Sequence, residues 1–109
     1  MNIRTLLQIK QFCLVKYSLT KDKQHNLEHV KRVSQNAIKI VQYLGIEKVI
    51  DLNLLEAACY LHDVVISSNK GSNLSLFYSH LFEKSLNKKY IPKIIQQFNL
   101  PPEEALILI

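Results

Sequence analysis

The sequence predicts an all-α fold, a single compact domain of about five or six helices, on three observations. Helix breakers are scarce: glycine occurs only at Gly45 and Gly71, and proline only at Pro92, Pro101 and Pro102, which leaves long stretches uninterrupted. Apolar residues between those breakers recur at steps of three and four, the period of one helix face. The balance of 48% hydrophobic to 21% charged residues over 109 positions suits one domain with one buried core, not a disordered or fibrous chain.

The first helix is expected over residues 3–19. Leu6, Leu7, Ile9, Phe12, Cys13 and Tyr17 share one broad side, and Arg4, Gln8, Gln11 and Lys16 lie mostly opposite. A polar connection, residues 20–24, leads to His25 and Asn26. From there Val30, Val33, Ala37, Val41 and Leu44 form the clearest amphipathic stripe in the chain, and Gly45 supplies its stop because glycine readily takes the left-handed closing conformation. A third helix begins after Asp51 or Asn53, either of which can cap exposed amides, and runs through Leu54, Leu55, Ala58, Leu61 and Val65. Turn-forming residues 67–71 end it. A fourth helix opens near Asn73 and contains Leu76, Phe77, His80, Leu81 and Leu86, and a short fifth covers residues 91–98 with Pro92 in its first turn. Pro101 and Pro102, followed by Glu103 and Glu104, announce a last helix whose apolar run ends at Ile109.

Composition narrows the function classes. Cys13 and Cys59 are the only cysteines and sit among apolar residues at helical spacing, so they read as small buried hydrophobes and not as a disulfide framework. The first residues lack the apolar core of a signal peptide, and no run of about 18 apolar residues exists to span a bilayer. The cytoplasm, without a membrane partner, is the expected compartment. A net charge of +5 favours phosphate-bearing ligands or nucleic acid by long-range attraction. The basic residues are nevertheless scattered from Arg4 to Lys93, with only Lys31–Arg32 and Lys88–Lys89 adjacent, as solvated helix faces would be.

Chemistry concentrates at four residues. His25 and His29 are four apart and share one side of a helix. His62 and Asp63 are adjacent, so their side chains diverge by about 100° on a helix and share an ion only if it lies against the helix between them. They close the apolar run Ala57-Ala58-Cys59-Tyr60-Leu61, and an ionisable pair at such an edge calls for a partner. Read singly, each is as well explained by a surface or hydrogen-bonded histidine and a carboxylate paired with a nearby lysine or arginine.

Together, His25-Asn26-Leu27-Glu28-His29-Val30-Lys31-Arg32-Val33 and Leu54-Leu55-Glu56-Ala57-Ala58-Cys59-Tyr60-Leu61-His62-Asp63-Val64-Val65 resemble the opening of the HD-domain superfamily of metal-dependent phosphohydrolases, most of all its small bacterial members. The resemblance covers roughly residues 19–68. It implies an HD-domain-like helical fold with His29, His62 and Asp63 as metal ligands and His25 beside the metal in contact with substrate. A divalent ion there, Mn, Mg, Fe, Co, Ni or Zn, would acidify water for attack on phosphorus. Asp63 and His25 would be the catalytic residues, and His25, Lys31 and Arg32 would contact a small phosphorylated substrate such as a nucleotide. The family pattern ends on a further Asp from a later helix, and no Asp follows Asp63 here; Glu83, Glu103, Glu104 and His80 are the remaining ligand-capable acids and imidazoles downstream.

Residues 1–109 are therefore expected to form one HD-like domain, incomplete at its C-terminus. Its uncapped apolar end should pack beside the first helix or against a second copy of the chain as a homodimer. Two alternatives to the phosphohydrolase stay open: a catalytically defective HD-like domain that binds a metal or nucleotide or serves as an interaction module, and an HD nuclease acting on nucleic acid.

Overall fold

Helices and connecting turns make up the computed structural model, which describes residues 1–20, 26–67 and 83–108; no strand occurs among them. Among the described residues the helices are α1 (Ile3–Ser18), α2 (Leu27–Tyr43), α3 (Leu52–Leu61), α4 (Val64–Ser67), α5 (Glu83–Gln96) and α6 (Pro102–Leu108). None is long and apolar enough to cross a membrane.

Side-chain caps start the first three helices. Asn2 accepts the Thr5 amide at 2.8 Å, Asn26 the His29 amide at 3.1 Å and Asp51 the Leu54 amide at 3.0 Å, each satisfying a donor that the first turn leaves unpaired. Of the two caps offered for α3, Asp51 is the one used. Gly45, at φ 68°, ends α2: its amide bonds the Gln42 carbonyl and the Ile46 amide reaches back to Val41, the paired bonds of a Schellman closure.

The helix that carries the most apolar sequence lies at the centre. α3 packs against α1, α2 and α6, and buries Leu54, Ala57, Cys59, Tyr60 and Leu61. From α1 come Leu6, Ile9, Cys13 and Tyr17, and from α2 Val30; Val64, Ile91, Ile95 and Leu108 complete the core. The apolar stripe of α2 packs on α3. Its buried face is nevertheless narrower than the pattern suggested, because Leu44 is exposed and Ser34 is buried.

Two expectations are revised. α3 ends at Leu61 and α4 forms one further turn from Val64, so helical hydrogen bonding is interrupted at His62 and Asp63 instead of running on to Val65. The stretch expected to begin a separate helix at residue 91 is the continuation of α5, which starts at Glu83 and has Pro92 in its interior. Proline removes the amide that would bond the Lys88 carbonyl; Lys88 is exposed, so water can take that carbonyl, while Ile91 and Ile95 hold the helix to the core. α6 packs on α3 and α5 and sends Leu108 into the core. The start of the helix expected near residue 73, and the turn at residues 67–71 beyond Ser67, lie outside the described residues.

Candidate metal centre

Two helix ends build the site. Because the Asn26 side chain accepts its amide, His29 is anchored in the first turn of α2. His62 is the C-terminal cap of α3, and Asp63 follows in the break before α4. Packing of α2 against α3 brings these ends together.

Their donor atoms converge. Asp63 Oδ2 lies 3.1 Å from His62 Nε2 and 3.4 Å from His29 Nε2, and one ligand atom from each of the three residues falls within 4.8 Å of the others. Ring centroids of the two histidines are 5.7 Å apart, with their planes inclined at 53°. Two donors bound to one first-row ion at about 2.1 Å each stand about 3.0 to 3.4 Å apart in octahedral or tetrahedral geometry. The two Asp63 separations match that spacing, and the three residues form a group that could hold a single small cation.

The surroundings favour this donor set. His62 Nδ1 is 2.5 Å from the Cys59 carbonyl, so Nδ1 carries a proton and Nε2 is the ring nitrogen turned toward Asp63. Asp63 is only 2% exposed, whereas the His62 side chain is 37% exposed, so the acid forms the floor of the cluster and the imidazole its open wall. A carboxylate this deep must be compensated, by a proton on a neighbouring imidazole or by a cation between them.

Of the other residues singled out in the sequence, His25 lies outside the described residues. Val30 faces the core, so His29 and Lys31 flank it on opposite sides by about 100° each, and Arg32 points outward. Lys31 consequently lines a groove of about 360 Å³ on the other flank of α2, with Lys10, Ser34, Gln35, Glu56 and Tyr60. Lys10 and Glu56 pair across that groove at 2.9 Å. Glu104 pairs with the α-amino group of Met1 at 3.0 Å, and the three-residue cluster includes neither Glu103 nor Glu104. His80 lies outside the described residues.

Sequence reasoning missed the groups behind the cluster. Tyr17, 2% exposed, donates its hydroxyl to the Tyr60 carbonyl at 2.6 Å. Burial first, and then the nearby Cys13 and Asp63, push this phenol far up from its ordinary value, so it stays a neutral donor. A tyrosine four residues after Cys13 on an apolar stripe signals core and nothing more.

Comparison with protein-family models, curated proteins and solved structures finds no match.

Proposed function

We propose that this chain is an HD-type metal-dependent phosphohydrolase acting on a nucleotide or another small phosphomonoester. The observation that carries the proposal is the meeting of two Nε2 atoms on the buried Asp63 carboxylate at 3.1 and 3.4 Å, from the two sequence motifs that the resemblance singles out.

A mixed nitrogen and oxygen set suits Mn, Fe, Co, Ni, Zn or Mg. When bound, such a cation supplies Lewis acidity to a phosphoryl oxygen and makes water acidic enough to attack phosphorus near neutral pH. His29 and His62 offer imidazole nitrogens for it. Asp63 offers an anionic oxygen in a position shielded from solvent, where electrostatic attraction is stronger than in water. The Cys59 carbonyl keeps the His62 ring in the tautomer that presents Nε2. His25 is assigned the phosphate contact by the resemblance alone.

A second reading rests on the ligand count. Among the described residues the cluster has one carboxylate, which favours a domain that binds metal or nucleotide without turnover. Exposed Leu106 and Ile107 on α6 support pairing of two copies, which sedimentation of the full chain tests.

The deciding experiment loads the full chain with Mn²⁺, Co²⁺ or Zn²⁺ and follows hydrolysis of a panel of phosphomonoesters, nucleotides and single-stranded nucleic acid. The enzyme reading expects turnover of a small phosphomonoester that is abolished by chelation and by His62→Ala. One bound metal per chain without turnover supports the second reading. No binding of any of these metals at neutral pH contradicts the enzyme reading and the metal-binding form of the second.

A further inference from the structure

On a regular helix, neighbouring side chains diverge by about 100°. His62 and Asp63 are neighbours, yet they present Nε2 and Oδ2 to each other at 3.1 Å. The backbone allows this because helical bonding lapses between α3 and α4, although nothing in the local sequence, neither glycine nor proline, would break a helix there.

What holds the break is a set of side-chain bonds to the last turn of α3. In an unbroken helix the carbonyls of Cys59 and Tyr60 accept the amides of Asp63 and Val64. Here the Cys59 carbonyl accepts His62 Nδ1, and the Tyr60 carbonyl accepts the Tyr17 hydroxyl at 2.6 Å. One phenol, brought by α1 and buried in the core, therefore holds the backbone of the last turn of α3, two residues before His62.

We infer that Tyr17 is a positioning residue of the metal centre: its hydroxyl holds the Tyr60 carbonyl at the end of α3 so that His62 and Asp63 both turn toward His29. The inference rests on the metal reading above. A phenylalanine at position 17 would fill the same volume and leave that carbonyl without this partner, which separates the hydroxyl from the ring.

The test compares the full-length wild type, Tyr17→Phe and His62→Ala. Co²⁺ is titrated into each and followed by calorimetry and by its visible absorption. The wild type should bind one Co²⁺ and His62→Ala should lose it. Tyr17→Phe should bind about 10- to 100-fold more weakly, as loss of an outer hydrogen bond to a metal site does, with an altered Co²⁺ spectrum. In the metal-free protein, Tyr17→Phe should speed exchange of the amides at the break between α3 and α4 about tenfold, the loss of one buried hydrogen bond, and leave the Leu6 and Ile9 amides unchanged.

Wild-type affinity and spectrum in Tyr17→Phe would overturn the inference and leave the metal reading standing. Uniformly faster exchange through the core with unchanged Co²⁺ affinity would also overturn it, because it marks a packing role. Failure of the wild type to bind Co²⁺ would overturn the metal reading and the inference with it. Should Tyr17→Phe not fold, the wild type decides: it should show a slowly exchanging Tyr17 hydroxyl proton, held on the Tyr60 carbonyl, and absence of that signal overturns the inference.

Discussion

Replacing Asn26 by alanine should weaken both the fold and the metal centre, because one hydrogen bond serves both. Asn26 Oδ1 accepts the His29 amide at 3.1 Å, so the bond that caps α2 also fixes the backbone of a proposed ligand. Loss of an asparagine cap costs about 1 kcal/mol, within a range of about 0.5 to 2. For a chain of 109 residues that corresponds to a fall in Tm of about 4 °C. The same 1 kcal/mol multiplies the population with an unwound first turn about fivefold, and Co²⁺ affinity can fall by no more than about that factor if only the wound state binds. Asn26→Asp is the control. Aspartate caps as well as asparagine, and its charge near the helix N-terminus adds about 0.3 to 1 kcal/mol of favourable interaction with the helix dipole. Urea unfolding and Co²⁺ titration of the three proteins provide the assay. Equal stability of Asn26→Ala and wild type, or an Asn26→Asp protein as unstable as the alanine variant, would refute the capping argument. Loss of stability without any loss of Co²⁺ affinity would refute the link from cap to ligand.

Three further outcomes are expected. Ile9 is fully buried between α1 and the rest of the core, so Ile9→Ala should cost about 2 to 5 kcal/mol in urea unfolding, and a loss below about 1 would show that the core is not packed there. Burial pushes the Cys13 thiol up to about 12, so iodoacetamide at pH 8 should leave it unmodified in the folded protein. From about pH 9 upward the unfolded chain releases a thiol proton that the folded chain keeps, so stability should fall with rising pH by at most about 1.4 kcal/mol per unit; Cys13→Ala should remove that part of the slope, and an unchanged slope would contradict it. Gly45 has φ 68° and open space where a Cβ would sit, so Gly45→Ala should cost backbone strain alone, about 1 kcal/mol by urea unfolding, and a neutral result would contradict the left-handed closure.

Much of the helical framework is legible in the sequence, because it rests on local signals. Gly45 closes α2 and Pro102 opens α6 where the residue types say they should, and the α2 stripe faces α3. Long-range bonds decide what is not legible. Ser34 rather than Leu44 is buried because the neighbouring helices, not the periodicity, set the width of the α2 face. The break after Leu61 carries no breaker residue and is held by Tyr17 from 43 positions away. Pro92 sits inside α5 because burial of Ile91 and Ile95 offsets a local penalty of about 3 kcal/mol that local signals alone would avoid. Of the candidate site, the adjacency of His62 and Asp63 and the motif around His29 are legible as residue types. Their meeting at one carboxylate oxygen is a property of how α2 and α3 pack.

The central claim is that His29, His62 and Asp63 hold one divalent cation. An anomalous difference map from crystals of the Co²⁺-loaded full chain tests it most directly. The account predicts one strong peak about 2.0 to 2.3 Å from His29 Nε2, His62 Nε2 and an Asp63 carboxylate oxygen. A Co²⁺ peak elsewhere, or none, with both imidazoles bonded to Asp63 through protons alone, would contradict it.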